Sequence, residues 1–303
     1  MNYRNLAKSR ILGVLVAVLC LVAAECLAAE DADSRSPVRT VARQILNVTG
    51  VKGGLIVHLG CGDGKLTAAL HAGEAYSVQG LDVDSSEVQT AREYLQSQGL
   101  YGCVSVDGYT GKTLPYVDNL ANLVVAEDLA DLTMDEVLRV LCPNGVAYVK
   151  QDSQWGKTVK PRPEAIDDWT HFLHDATGNA VAHDRVVAAP RRLQWIAGPL
   201  WSRSHEYDSS LCAMVSSRGR LFSIFDEGPT GIIDPRIPDQ WTLTARDASN
   251  GIVLWKREIP DCDRRRGSGR RWSSLTGGGC PASGPRSPWR LRDAWWPVRI
   301  GST

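Results

Sequence analysis

The chain has eight cysteines in 303 residues, and no two of them stand in a C-x-x-C arrangement. Structural zinc sites are commonly built from such pairs, so their absence argues against one. Beyond the first 29 residues the cysteines are Cys61, Cys103, Cys142, Cys212, Cys262 and Cys280. Some of these six could form disulfides in an oxidising compartment, but their spacing indicates no particular pairing.

A basic surface is also missing from most of the chain. The formal net charge is zero, with +2 in residues 1–29 and +6 in residues 261–303, so residues 30–260 carry −8. Proteins that bind nucleic acids need clusters of lysine and arginine to displace counterions from the phosphates. We therefore expect no nucleic-acid partner.

The apolar run Ile11–Ala24 is too short for a lasting membrane span. Three basic residues precede it, and two alanines follow at positions 28 and 29. This order predicts a signal peptide over residues 1–29 and export to the periplasm or cell envelope. The alternative is an uncleaved signal that anchors the protein in the membrane.

Residues 30–155 predict a doubly wound, Rossmann-like α/β domain. After a helix near Val38–Asn47, the predicted strands are GLIVHL, YSVQGLDVD, CVSVD, LANLVVAEDL and VAYVK. The predicted helices between them are KLTAALHAG, SSEVQTAREYLQSQGL, capped by Ser85 or Ser86, and TMDEVLRVLCPNG. Strands that alternate with helices form a parallel sheet with helices on both faces.

The first strand runs into a glycine-rich loop, VHLGCGDGKLT. Gly60 permits a tight turn, Gly62 lets a ligand approach the backbone, and Gly64 allows close helix packing. Asp82 ends the second strand, where its carboxylate can accept hydrogen bonds from both hydroxyls of a ribose. Asp63 would repel a pyrophosphate, so the loop suits a cofactor that has cationic groups and no phosphate.

These motifs resemble those of class I S-adenosylmethionine-dependent methyltransferases over residues 54–150. VHLGCGDG resembles the first motif and GLDVD the ribose-binding acid, and VDGYTGKTLPYVDNLANLVVAEDL and DEVLRVLCPNGVAYV follow in the family's order. The resemblance implies S-adenosylmethionine as cofactor and a small molecule or a protein as methyl acceptor. The implied cofactor-binding residues are His58, Gly60, Cys61, Gly62, Gly64, Asp82, Val83, Asp107 and Gly108.

Within that resemblance, the three glycines line the methionine moiety, Asp82 holds the ribose, and Asp107 with Gly108 borders the adenine. The family usually has Asp or Glu two residues before the first glycine, where this chain has His58. Neutral imidazole is a poorer partner than a carboxylate for the ammonium group. The sequence thus leaves a second function open, a non-catalytic exported binding or scaffold protein with a relic Rossmann-like domain.

After a linker at 156–184, residues 185–260 predict an all-β region. LCAMVSSRGRLFSIFDEG and WTLTARDASNGIVLWKREI each predict two strands, the second pair joined at Asn250-Gly251. The second segment resembles a PQQ-binding-like β-propeller repeat through Ala245, Asp247, Gly251 and Trp255. A propeller needs roughly four to eight blades. We expect about one blade here and no bound PQQ.

The linker contains AIDDWTHFLHDATGNAVAHD, which predicts a short helix over Asp167–His174. His171 and His174 would share one face of that helix, with three aspartates nearby and His183-Asp184 downstream; the aspartates are Asp167, Asp168 and Asp175. A divalent metal could use them, but no third ligand has a defined spacing. We therefore expect no metal, and histidines that are hydrogen-bonded in a polar helix between two domains.

Residues 261–303 contain no lysine and are rich in arginine, glycine, serine and proline. Neither helical nor strand periodicity persists in this composition. The segment predicts a disordered tail or a frameshifted reading frame.

Overall fold

The computed structural model describes residues 36–151, 154–186, 193–203, 209–232 and 236–260. Its helices are α1 (Pro37–Thr49), α2 (Lys65–Leu70), α3 (Ser85–Ser97) and α4 (Met134–Val140). Its strands are β1 (Gly54–Leu59), β2 (Tyr76–Asp82), β3 (Val104–Gly108), β4 (Ala121–Ala126), β5 (Leu141–Gln151), β6 (Gln154–Val159), β7 (Leu211–Ser217), β8 (Arg220–Asp226), β9 (Trp241–Asp247) and β10 (Val253–Glu258). The predicted signal peptide and tail lie outside the described residues. Within these residues, no helix has the length and apolar character that crossing a membrane requires.

Six strands form one sheet in the order β3-β2-β1-β4-β5-β6. The first five are parallel, and β6 pairs antiparallel with β5. Side chains of β1 alternate between two hydrophobic clusters: Ile56 packs with α1, α2 and α3, whereas Val57 and Leu59 pack with α4. Helices thus cover both faces, and the predicted Rossmann-like α/β fold is confirmed. Strand β6 was not predicted, because its sequence QWGKTV is polar and largely exposed.

Several boundaries differ from the predicted ones. Helix α3 is capped by Asp84, whose side chain accepts a hydrogen bond from the Ser86 N–H, and not by Ser85 or Ser86. Helix α2 ends at Leu70, before Gly73. Strand β5 begins at Leu141, two residues before Pro143, because pairing with Ala121 of β4 extends it toward α4.

The second sheet is an antiparallel meander in the order β10-β9-β8-β7. Its four strands confirm the two predicted hairpins. The small core contains Ala213, Val215, Ile224 and Trp241. Beside it the buried Arg203 guanidinium lies 3.0 Å from Asp239 Oδ1 and 3.3 Å from Asp226 Oδ2. The sheet matches one blade in strand number, and the propeller itself stays a prediction.

The predicted helix over Asp167–His174 is wrong. The N–H groups of Thr170 and His171 donate to the His174 carbonyl, which closes a tight loop instead of a helical turn. His174 has φ 69°, in the left-handed region. The Asp168 N–H donates to the Asp167 side chain, a local bond of the kind that competes with helix formation.

One asparagine joins the two sheets. Asn122 of β4 accepts hydrogen bonds at Oδ1 from the Leu55 N–H, at 2.8 Å, and from Asn250 Nδ2, at 2.7 Å. Its own Nδ2 donates to Asp247 Oδ2 at 2.7 Å. The β9–β10 turn therefore docks on the amino end of β4, opposite the carboxyl ends of the parallel strands.

Candidate cofactor site

The glycine loop after β1 has three residues in the left-handed region, with φ 67° at Gly60, 50° at Gly62 and 76° at Gly64. A Cβ at Gly64 would lie 2.9 Å from the Ala91 Cβ of α3, so this glycine allows the loop to pack on the helix. A Cβ at either of the other two would meet no described atom within 4 Å. The space beside these two glycines is therefore open to a ligand.

Asp82 fixes this loop from the end of β2. Its side chain is 8% exposed. Oδ2 accepts a hydrogen bond from the Gly62 N–H at 3.0 Å, and Oδ1 accepts one from the Asp84 N–H at 3.1 Å. A carboxylate has about four acceptor positions, so two remain for the hydroxyls of a ligand.

The ends of β2 and β3 meet beside Asp82. The Tyr109 N–H donates to the Asp82 carbonyl at 3.0 Å, which brings the predicted Gly108 next to the end of β2. Val83 is 64% exposed and offers an apolar surface at the same edge. Asp107 is exposed and its Oδ1 pairs with Arg92 at 2.9 Å. Its placement against an adenine stays a prediction.

His58, in β1, and Cys61, within the glycine loop, are both buried. His58 is 3% exposed, and its Nδ1 lies 2.8 Å from Thr67 Oγ1. Burial lowers the pKa of His58 to about 4, although the Asp82 carboxylate acts in the opposite direction. Burial raises the pKa of Cys61 to about 12, and the charge of Asp82 adds to that effect. Near neutral pH both side chains are uncharged, and their direct contact with a cofactor stays a prediction.

Two acidic residues that sequence reasoning did not assign to the site stand across from the loop. Strands β1 and β4 are adjacent, with Leu59 paired to Ala126, and Glu127 and Asp128 follow directly. The strand order reverses here, and ligands of open α/β sheets bind at such a switch point. An acidic pair directly after a buried strand was the signal available in the sequence.

The family model matches this same part of the chain, and the UbiE relatives match over longer stretches. Residues 56–145 match the family model described as "Methyltransferase domain". The ubiquinone/menaquinone biosynthesis C-methyltransferase UbiE of Erwinia tasmaniensis is 29% identical over 192 residues, which covers 60% of this chain and 76% of that protein. UbiE of Pseudoalteromonas translucida is 28% identical over 241 residues, covering 77% and 92% respectively. A solved SAM-dependent methyltransferase from Aquifex aeolicus is 21% identical with a TM-score of 0.33, covering 42% of this chain and 76% of that chain.

The family match and the UbiE relatives support a class I S-adenosylmethionine-dependent methyltransferase domain in this part of the chain. They also support S-adenosylmethionine as its cofactor. The particular proteins to which the chain is similar include the UbiE C-methyltransferases, at 28–29% identity. The family match ends before the second sheet begins.

Proposed function

We propose that residues 54–150 bind S-adenosylmethionine at the carboxyl edge of the parallel sheet and transfer its methyl group to a small-molecule acceptor. This proposal depends on one observation: the Asp82 carboxylate accepts a hydrogen bond from the Gly62 N–H of the glycine loop. The bound cofactor supplies a methyl group on a positively charged sulfur. The protein's part is to hold the ribose at Asp82 and the methionine end along the loop.

The charge of the loop fits such a cofactor. Asp63 forms a 2.7 Å ion pair with Lys65 and accepts a hydrogen bond from the Lys65 N–H, so its charge is balanced within the loop. Glu127 lies 3.6 Å from Lys150 Nζ, so the negative charge of the surrounding edge comes from Asp82 and Asp128. An acidic edge favours a cationic ligand and disfavours a pyrophosphate.

The acceptor is proposed to be a small molecule because the UbiE relatives, by name, methylate carbon in ubiquinone and menaquinone biosynthesis and match over most of their length. Methyl transfer to a reactive nucleophile can proceed when the two reactants are held in line, without a strong base. The acidic pair after β4 borders the space in which the acceptor would approach, across the glycine loop from Asp82.

Isothermal titration of the full chain with S-adenosylmethionine tests the proposal. Asp82→Ala removes the acceptor of two ribose hydrogen bonds, each worth roughly 1.5–3 kcal/mol to a charged group, so we expect affinity to fall by about 100-fold or more. Asp118→Ala is the matched control, because Asp118 is an exposed aspartate that pairs with Arg139. Binding that survives Asp82→Ala unchanged would reject this placement of the cofactor.

The second candidate is an exported scaffold or binding protein, and the second sheet favours it. A four-stranded antiparallel meander has the strand number of one blade, and further blades of a propeller would pack on its faces. In this candidate the Rossmann-like domain supports a propeller outside the cytoplasm, and His58 replaces an acid that is no longer needed. A chain that binds no S-adenosylmethionine and is exported would favour this second function.

A further inference from the structure

The loop that replaces the predicted linker helix brings three side chains with metal-ligating atoms together. One ligand atom each from Asp167, His174 and His183 lie within 4.8 Å of one another. His174 Nε2 is 2.7 Å from Asp167 Oδ2, and His183 Nδ1 is 3.9 Å from that same oxygen. Folding thus brings Asp167 and His183 to His174, whereas His171, which the sequence paired with His174, stays outside the cluster.

Neighbouring groups hold this cluster in place. The His183 N–H donates to Asp167 Oδ2 at 2.7 Å, and the Asp168 N–H donates to Asp167 Oδ1 at 2.8 Å. The Trp169 ring packs edge-on against the His174 ring, with centroids 5.3 Å apart. The Trp169 carbonyl accepts a hydrogen bond from the Ser216 N–H of β7. The loop is therefore anchored to the second sheet before any ligand binds.

One buried nitrogen in the cluster lacks a hydrogen bond. His174 is 3% exposed, and its Nδ1 has no hydrogen-bond partner among the described residues. The Asp175 Oδ2 lies 3.6 Å from it. When a neutral ring donates its single proton from Nε2 to Asp167, Nδ1 presents a lone pair toward a carboxylate. A buried polar atom in that position is costly.

A metal ion at Nε2 would remove this mismatch. The metal takes the Nε2 lone pair, and the ring proton then resides on Nδ1, directed toward Asp175. Histidines that bind metals commonly donate their other N–H to a carboxylate in this way. The same shift releases Asp167 Oδ2 from the hydrogen bond of the His174 ring, so that this oxygen can coordinate while it still accepts the His183 N–H.

We propose that Asp167, His174 and His183 form a binding site for a divalent transition-metal ion such as Zn²⁺, with Asp175 as a positioning residue. Two imidazoles and one carboxylate are donors that zinc accepts, and three protein ligands leave a fourth position for water or another ligand. His183 is 73% exposed, so the cluster opens to solvent on that side. The site lies outside the cofactor loop and is independent of the proposed methyltransferase function.

Zinc titration of the chelator-treated full chain tests this proposal. In a parallel titration with Co²⁺, the visible absorption spectrum of the bound ion reports which kinds of ligand surround it. We expect one Zn²⁺ bound per chain by these residues and an affinity at least ~100-fold lower in His183→Ala, which loses a direct ligand. Asp175→Asn is expected to weaken binding by ~10–100-fold, as loss of an outer hydrogen bond does at other metal sites. His171→Ala is the matched control, since its ring contacts Thr170 and stands outside the cluster.

The His183→Ala arm is decisive because this exposed side chain can be removed without disturbing the core. Unchanged zinc affinity in His183→Ala, or an equal loss in His171→Ala, would overturn the proposal. It would also be overturned if the wild-type chain bound no zinc at micromolar concentration.

Discussion

Acidification is expected to destabilise the parallel sheet through His58. The ring is buried, and this burial lowers its pKa from 6.5 to about 4 in the folded protein. In the unfolded chain the same ring titrates near ~6.5. Between these two values the unfolded state binds more protons than the folded state, so stability is lost as the pH falls from 6.5 to 4.

The size of the effect follows from the two pKa values. At pH 7.5 the ring is neutral in both states and the destabilisation is negligible. At pH 5 the unfolded state is almost fully protonated at this position while the folded state is not, which costs about 2 kcal/mol of unfolding free energy. By pH 4 the loss reaches about 3 kcal/mol.

Urea unfolding followed by far-UV circular dichroism at pH 7.5 and pH 5.0 measures this difference. His58→Gln is the comparison, because glutamine can still hydrogen-bond Thr67 and does not titrate. The wild type should lose about 2 kcal/mol more than the variant between the two pH values, since other titrations are common to both. If the two proteins lose the same amount, His58 is not held neutral by burial and the reasoning fails.

Three further predictions concern other parts of the chain. In urea unfolding, Gly64→Ala should destabilise the fold by roughly 1–3 kcal/mol more than Gly99→Ala. Both glycines have positive φ, but only at Gly64 would a Cβ collide with Ala91. Equal losses of stability would refute this packing role. Asn122→Ala should cost roughly 2–4 kcal/mol of unfolding free energy by breaking its hydrogen bonds between the sheets, and should make the β9–β10 turn easier to proteolyse; an unchanged digestion pattern would contradict the docking. A fusion of residues 1–35 to a reporter that is active only outside the cytoplasm should be active, whereas an inactive fusion would refute export.

The α/β domain illustrates what local sequence patterns can determine. Apolar runs such as GLIVHL must be buried on both faces, and the helical segments between them must cover those faces, so the parallel sheet follows from periodicity. The glycine spacing after β1 and the acid at the end of β2 follow from the same local rules. These local features alone predict that Gly62 and Asp82 lie at the same edge of the parallel sheet.

Other features depend on contacts between residues far apart in the chain. Strand β6 is polar and forms because β5 offers it an open edge, and the neutral state of His58 results from burial. Asn122 acquires its partners only when the second sheet docks. The sequence by itself determined the alternation of strands and helices from β1 to β5 and the position of the glycine loop, because these depend on short-range patterns. Only the tertiary structure decided that Asp167, His174 and His183 meet, because a tight loop, and not a helix, brings residues seven and nine positions apart to one point.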